Sequence, residues 1–294
     1  MKAAPFVYHR PESVKEAADL LDEFGDDAKI LAGGQSLVPM LAMRLTHFEN
    51  LVDISKIDEL RSIDLGGGEV RIGAGTPHAC VGMDDEVADS VPLLTLATPY
   101  IGHFQIRTRG TLGGAIAHAD PAAEYAAVAL ALDAQMEAVS SKGTRQIPAA
   151  DFFTGLWETS LQTGEILTAV SFPVWGGRSG FAVEEFARRH GDFAIAGAAV
   201  AVELDDDDRI ARCGIGLLGL GSTPLRGSAA EAAVIGRAVD DVSAEEVGRL
   251  AIDGLEDIPA DLQGSAGYRA KVGATMVARG WKAAISEITG TNNA

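Results

Sequence analysis

Ile106-Arg107-Thr108-Arg109-Gly110-Thr111-Leu112-Gly113-Gly114-Ala115-Ile116-Ala117-His118-Ala119-Asp120-Pro121-Ala122-Ala123-Glu124 is the most informative segment of this chain. Its glycine pair follows residues that read as extended. So does a second pair upstream, in Ile30-Leu31-Ala32-Gly33-Gly34-Gln35-Ser36-Leu37. Glycine has no Cβ to hold an anion away from backbone N–H groups, so each turn is a candidate phosphate cradle. Two such turns could grip one diphosphate from both sides. A lone glycine pair would equally suit a tight turn between buried elements, and it is the combination that points to a ligand.

The rest of the chain bounds that reading. At 294 residues and 47% hydrophobic content, it is long enough for substantial cores in two domains. Twenty-four basic against 42 acidic residues leave a net charge of −18, which disfavours nucleic acid or an anionic membrane as partner. No apolar run reaches the ~20 residues needed to span a bilayer. Met1-Lys2-Ala3-Ala4-Pro5-Phe6 lacks an apolar signal core, so a cytoplasmic location is expected. Cys80 and Cys213 stand far apart, and neither they nor the six histidines show metal-ligand spacing. No metal or iron–sulfur site is therefore expected on this chain.

Apolar residues recur at helical spacing from Pro11 to Phe24, until Gly25 breaks the pattern. Lys29 to Ala32 reads as a short strand feeding the first glycine turn, with further strands at 51–54, 70–75 and 135–140. Residues 84–98 and the alanine-rich 121–132 read as helices. Strands alternating with helices indicate a mixed fold. Beyond Phe172-Pro173, apolar runs at 194–204 and 209–220 flank Asp205-Asp206-Asp207-Asp208, which reads as a hairpin with a solvated acidic tip. Helices are expected over 229–238, 244–255 and 268–288, with Val272, Met276 and Trp281 in the core.

The two glycine turns, together with Asp151-Phe152-Phe153-Thr154-Gly155, Glu165-Ile166-Leu167 and Phe186-Ala187-Arg188-Arg189-His190-Gly191-Asp192-Phe193-Ala194, occur in one order and spacing. In these motifs the whole chain resembles the FAD-binding medium subunit of the molybdenum hydroxylases, the group of xanthine dehydrogenase and carbon monoxide dehydrogenase. The resemblance implies an α+β chain. Residues 1–175 would form a two-subdomain FAD-binding domain of the vanillyl-alcohol oxidase (PCMH) type. Residues 176–290 would form a small C-terminal domain with a three-stranded antiparallel sheet and helices.

The resemblance also implies roles. Gly33, Gly34, Gln35 and Ser36 would offer donors to the diphosphate, with Ile30, Leu31, Ala32 and Leu37 around them. Thr111, Gly113, Gly114 and Ala115 would approach from the other side, Ala115 replacing the polar residue often found there. His118, Asp120 and Glu124 follow; Asp120 suits either a helix cap or a contact to cofactor hydroxyls, and Glu124 is the better FAD contact. Ile101 and Leu167 match apolar contacts or are ordinary core. Phe193 would either cover the isoalloxazine or anchor the core, and Glu185 stands where many relatives carry lysine.

The implied function is electron transfer: FAD on this chain, 2Fe-2S clusters on a small partner subunit, and molybdopterin on a large one, in a dimer of heterotrimers. No catalytic side chain is expected here. The alternatives are a self-contained FAD oxidoreductase of the same superfold and a flavin-free structural subunit.

Overall fold

The structure is a computed structural model and describes residues 2–290. Val7–His9, Ala28–Leu31 and Asn50–Asp53 form a parallel sheet with Asn50–Asp53 at its centre. Parallel neighbours need a crossover, and the helix Val14–Phe24 supplies one. Ser13 caps it by accepting from Glu16 N at 3.1 Å, and Gly25 ends it at φ +53°. Its apolar face, Ala17, Ala18 and Leu21, packs over Val52, Ile57 and Leu60.

A five-stranded antiparallel sheet follows, in the order Ile63–Gly66, Glu69–Gly73, Ile166–Pro173, Gln135–Ser140, Gly143–Pro148. Its central strand is the last in sequence, so the sheet is complete only when residues 166–173 insert between partners separated by more than sixty residues. The helical periodicity over 84–98 divides into Asp85–Ser90 and Pro92–Ala97, because Pro92 lacks the N–H that would continue the first helix and instead begins the second.

Glu124–Ala131 is the alanine-rich helix, and almost every residue of it is fully buried. It packs on the C-terminal sheet and on helix Pro92–Ala97, within a core that also takes in the five-stranded sheet. A Cβ built at Gly214 or Gly216 would sit 1.9 Å from the carbonyl oxygens of Ala131 and Ala127, so helix and strand meet backbone to backbone. A helix covered on all sides carries no polar stripe, and small side chains permit the close approach.

The C-terminal sheet holds the three expected long antiparallel strands, Arg178–Phe186, Ala196–Leu204 and Ile210–Leu218, and adds a two-residue edge strand, Leu225–Arg226. The acidic hairpin tip is a hydrogen-bonded turn: Asp205 Oδ1 accepts from Asp207 N at 3.0 Å and from Arg209 N at 2.8 Å. Helices Ser228–Val234, Ala244–Ile252 and Ala266–Thr289 cover one face and bury Val247, Val277 and Trp281. Met276 is also buried, and Val272 half-buried. The opposite face contributes Val183, Ala199, Ala201 and Leu218 to the core shared with Glu124–Ala131.

Candidate functional site

Strand Ala28–Leu31 delivers the first glycine turn, and helix Leu37–Met43 leaves it. Gly34 adopts φ +71°, a left-handed conformation in which glycine carries no Cβ penalty. Carbonyls in the turn are used locally: Val38 N donates to Gly34 O at 3.0 Å and Met40 N to Ser36 O at 3.1 Å. The Gln35 side-chain amide donates to Gly33 O at 2.9 Å. Among the described residues, the backbone amides of Gly33, Gly34, Gln35 and Ser36 have no protein acceptor. Four consecutive free donors in a tight turn make an anion-binding concavity.

The second turn lies against the first. A Cβ on Gly33 would fall 2.2 Å from Arg109 O and 2.7 Å from Gly110 Cα. One on Gly114 would lie 3.5 Å from Ala32 Cβ. The two loops are therefore brought together as their sequence suggested, but they do different work. Leu112 N donates to Thr76 O, Gly113 N to Ala74 O (both 2.9 Å), and Ala115 N to Thr111 O at 3.0 Å. Thr111 caps helix Leu112–His118, accepting from Gly114 N on Oγ1 at 3.0 Å. The second turn thus spends its amides on protein, and its glycines serve close packing: a Cβ on Gly113 would meet Ala74 Cβ at 2.3 Å. Ala115 is half-buried on the same helix.

Behind this turn stands a residue that the sequence did not single out. His78 N donates to Gly110 O at 2.9 Å, and a Cβ on Gly110 would lie 2.8 Å from the imidazole. The ring packs edge-on to Tyr125 at 5.1 Å, and its Nδ1 has no partner. Burial, with the charge of Arg107 added, lowers its pKa to about 4, so it is a neutral packing group at pH 7.

Helix Leu112–His118 ends at Ala119, in the left-handed region at φ +54°. Asp120 Oδ1 then accepts from Ala122 N at 2.9 Å, and Oδ2 from Trp157 Nε1 at 3.3 Å. Trp157 also stacks on His118, with centroids 6.2 Å apart and an interplanar angle of 6°. This tryptophan, at φ +58° in the Phe153–Gly155/Glu158–Thr159 hairpin, was not legible as a site residue; the only signal was its place just after Thr154-Gly155. Burial holds the His118 pKa below its ordinary value.

Glu124 opens its helix from a recess, where burial first and the charge of Asp120 second push its carboxyl up to about 7. Glu185 projects from Arg178–Phe186 with a buried Oε2 that has no hydrogen-bond partner. Burial, then the charge of Glu124, takes it to about 8. Glu124 and Glu185 thus place two carboxyls in one poorly solvated region, where their joint ionisation is disfavoured. Tyr100 is a neighbour, its Oη donating to Val183 O at 3.4 Å and its pKa raised by burial, then by Glu184 and Glu185.

Ile101 and Leu167 are both buried members of the largest core. Leu167 precedes a bulge at which Thr168 O accepts from Ala74 N at 2.8 Å, so it sits behind the residue that Gly113 packs on. Phe193, by contrast, is 63% exposed, which removes the core-anchor alternative. Its loop is held at Gly191, whose φ is +86° and whose Cβ would lie 3.0 Å from Gly102 O. Arg107 Nη1 donates to Ile101 O and Gly102 O at 3.1 and 3.0 Å, linking that loop to the segment leading into the second turn. Among the described residues, Ile30, Leu31, Ala32 and Leu37 are half-buried around the first turn.

Residues 4–175 match the FAD-binding domain in molybdopterin dehydrogenase, and residues 181–284 the CO dehydrogenase flavoprotein C-terminal domain. The chain is 42% identical over 279 residues to the 6-hydroxypseudooxynicotine dehydrogenase complex subunit alpha of Paenarthrobacter nicotinovorans, covering 95% of this chain and 94% of that protein. It is 38% identical over 280 residues to the caffeine dehydrogenase subunit beta of a Pseudomonas species, with coverage of 95% and 94%. Among solved structures, it superposes on a chain of the carbon monoxide dehydrogenase from Hydrogenophaga pseudoflava that lacks the Mo-pyranopterin moiety of the molybdenum cofactor. The TM-score is 0.94 at 37% identity, over 98% of this chain and 99% of that one.

Proposed function

This chain belongs to the family of FAD-binding medium subunits of the molybdenum hydroxylases, and from that premise we propose that it is the electron-transfer subunit of a heterotrimer. Its electrons come from iron–sulfur clusters on a small partner subunit and leave to an external acceptor. A large molybdopterin subunit oxidises the substrate, two heterotrimers pair, and the assembly works in the cytoplasm. On this reading, residues 1–175 carry FAD and residues 176–290 brace them.

The four free amides of Gly33 to Ser36 carry the proposal. They suit a diphosphate because they are bare donors in one tight turn, and the missing Cβ of Gly33, which would meet Arg109 O at 2.2 Å, lets the second loop pack against that turn. FAD, when bound, supplies a centre that exchanges electrons singly or in pairs. The chain's residues bind and orient it. Gly33, Gly34, Gln35 and Ser36 hold the diphosphate, while Ile30, Leu31, Ala32 and Leu37 wall the cradle. Thr111, Gly113, Gly114 and Ala115 form the opposing surface by packing rather than by free amides. His118, Asp120 and Glu124 border it with polar groups, Ile101 and Leu167 support it from the core, and Phe193 covers the flavin against water.

The test is the purified complex. It should release one FAD for each copy of this chain on denaturation and contain an iron–sulfur and a molybdopterin subunit. A pure single chain should turn over no organic substrate. Turnover by that chain would favour a self-contained flavin oxidoreductase, and colourless protein a structural subunit.

A further inference from the structure

Helix Ala266–Thr289 carries an arginine withdrawn from solvent. Arg269 is 4% exposed, and its Nη2 donates to both carboxylate oxygens of Asp261, at 2.9 and 2.8 Å. Its Nη1 points away from that pair, donating to Ile195 O at 2.6 Å and Gly219 O at 3.4 Å. Asp261 is itself fixed, accepting from Gln263 N at 2.8 Å and Gly264 N at 3.3 Å on Oδ1.

The two gripped carbonyls lead to the candidate site. Ile195 lies two residues beyond Phe193, and its own N–H donates to Phe186 O at 2.8 Å. Gly219, at φ +69°, packs so closely that a Cβ there would lie 2.8 Å from Ile195 O and 3.0 Å from Ala194 O. Its N–H donates to Pro121 O at 2.9 Å, within the segment joining Asp120 to Glu124. One guanidinium therefore ties together the foot of the Phe193 loop, the end of strand Ile210–Leu218 and, through Gly219, the start of the alanine-rich helix. A buried guanidinium is retained where its rigid fork satisfies several acceptors at once.

We propose that Arg269, held in register by Asp261, is a positioning residue that sets the stance of Phe193 from the C-terminal helix. This rests on the reading above that Phe193 lies against FAD. The guanidinium touches no part of the exposed ring; it anchors the carbonyl two residues on, so that loosening it lets the loop swing while the cradle at Gly33 to Ser36 stays intact.

The experiment uses the intact complex with Asp261→Asn, Arg269→Lys, Phe193→Ala and the double variant Asp261→Asn/Phe193→Ala. Asp261 is half exposed, so its variant keeps the fold even if Arg269→Lys does not. Readouts are the visible flavin spectrum, the rate of bleaching by sulfite as a probe of access to the flavin, and the melting temperature. Asp261→Asn and Phe193→Ala should each speed bleaching at least about threefold and alter the spectrum. The double variant should be no faster than Phe193→Ala alone, because residues acting through one another do not add. Additive effects, or a wild-type spectrum and bleaching rate for Asp261→Asn beside a changed Phe193→Ala, overturn the positioning role and leave the function standing. If Phe193→Ala is silent while FAD stays bound, the placement of Phe193 falls, and this proposal with it.

Discussion

Gly34 and Gly113 look alike in sequence and do different things. At Gly34 an added Cβ meets only the side chains of Val38 and Leu31, at 3.0 and 3.1 Å, while φ is +71°. Gly34→Ala should fold with a loss of about 1–2 kcal/mol from the left-handed backbone, and it should weaken FAD binding by distorting the free amides. At Gly113 the Cβ meets Ala74 Cα at 2.6 Å and Ala74 O at 2.8 Å. Gly113→Val should therefore cost the FAD-free protein about 1–3 kcal/mol or more by overpacking. Calorimetry with and without FAD separates them; equal FAD affinity in folded Gly34→Ala and wild type would remove the phosphate-cradle argument. Glu124 and Glu185 add a pH dependence. Their folded pKa values, about 7 and about 8, lie above the unfolded value. The folded state thus retains protons that the unfolded chain releases near pH ~4.3. Their stabilising contribution is complete below that pH and is lost as pH rises through the two folded values. What faces them is acidic: Asp120 on Glu124, Glu124 on Glu185, with Glu185 in turn acting on Tyr100. FAD-free protein should melt lower at pH 9 than at pH 6, and Glu185→Gln should flatten that slope; an unchanged slope in the variant rejects the assignment.

At the scale of elements, helix Glu124–Ala131 joins the candidate site to the C-terminal sheet. Its first residue borders the site, and its last turns rest on Gly214 and Gly216. Gly216→Val would drive a branched side chain into the Ala127 carbonyl, where even a Cβ sits at 1.9 Å. The helix must then lift from the strand, taking Glu124 with it. A fall in melting temperature of more than about 5 °C is expected, since each kcal/mol moves a chain of this size by a few degrees, with weaker FAD binding alongside it. Normal FAD affinity in a destabilised Gly216→Val would show that the helix does not transmit position to the site. The helix itself was legible from alanine content, but its start at Glu124 rather than Pro121 was set by the Asp120 turn, whose carboxylate accepts from Ala122 N.

For the whole molecule, net charge bears on which acceptor the proposed electron-transfer subunit would favour. The chain carries −18 and shows no second glycine fingerprint for a dinucleotide, so NAD must approach against a repulsive field offset only locally by residues such as Arg188 and Arg189, which are exposed. Quinone, an electron carrier or oxygen should reoxidise the reduced complex faster than NAD. Stopped-flow reoxidation checks this, and a fast phase that depends on NAD would reverse the expectation. Among the described residues no helix is long and apolar enough to cross a membrane.

Local chemistry was enough to place the two glycine turns, the alanine-rich helix and the C-terminal hairpin, because turn residues and apolar periodicity act within a few positions along the chain. The family resemblance, rather than local chemistry, marked Glu185 as a departure and left Phe193 open between two roles. What neither could distribute was hydrogen bonding and solvent. Both glycine pairs offer amides on paper, yet Ala74, nearly forty residues away, takes that of Gly113 and the capping Thr111 takes that of Gly114, while those of the first pair stay free. Phe193 stands exposed on a loop that packs at Gly191 against Gly102 and His103, and a strand sixty residues on carries Glu185 within electrostatic reach of Glu124 in a poorly solvated region. Competition for acceptors and for water is settled between segments distant in sequence, so only the assembled structure could decide which residues remain free to meet a ligand.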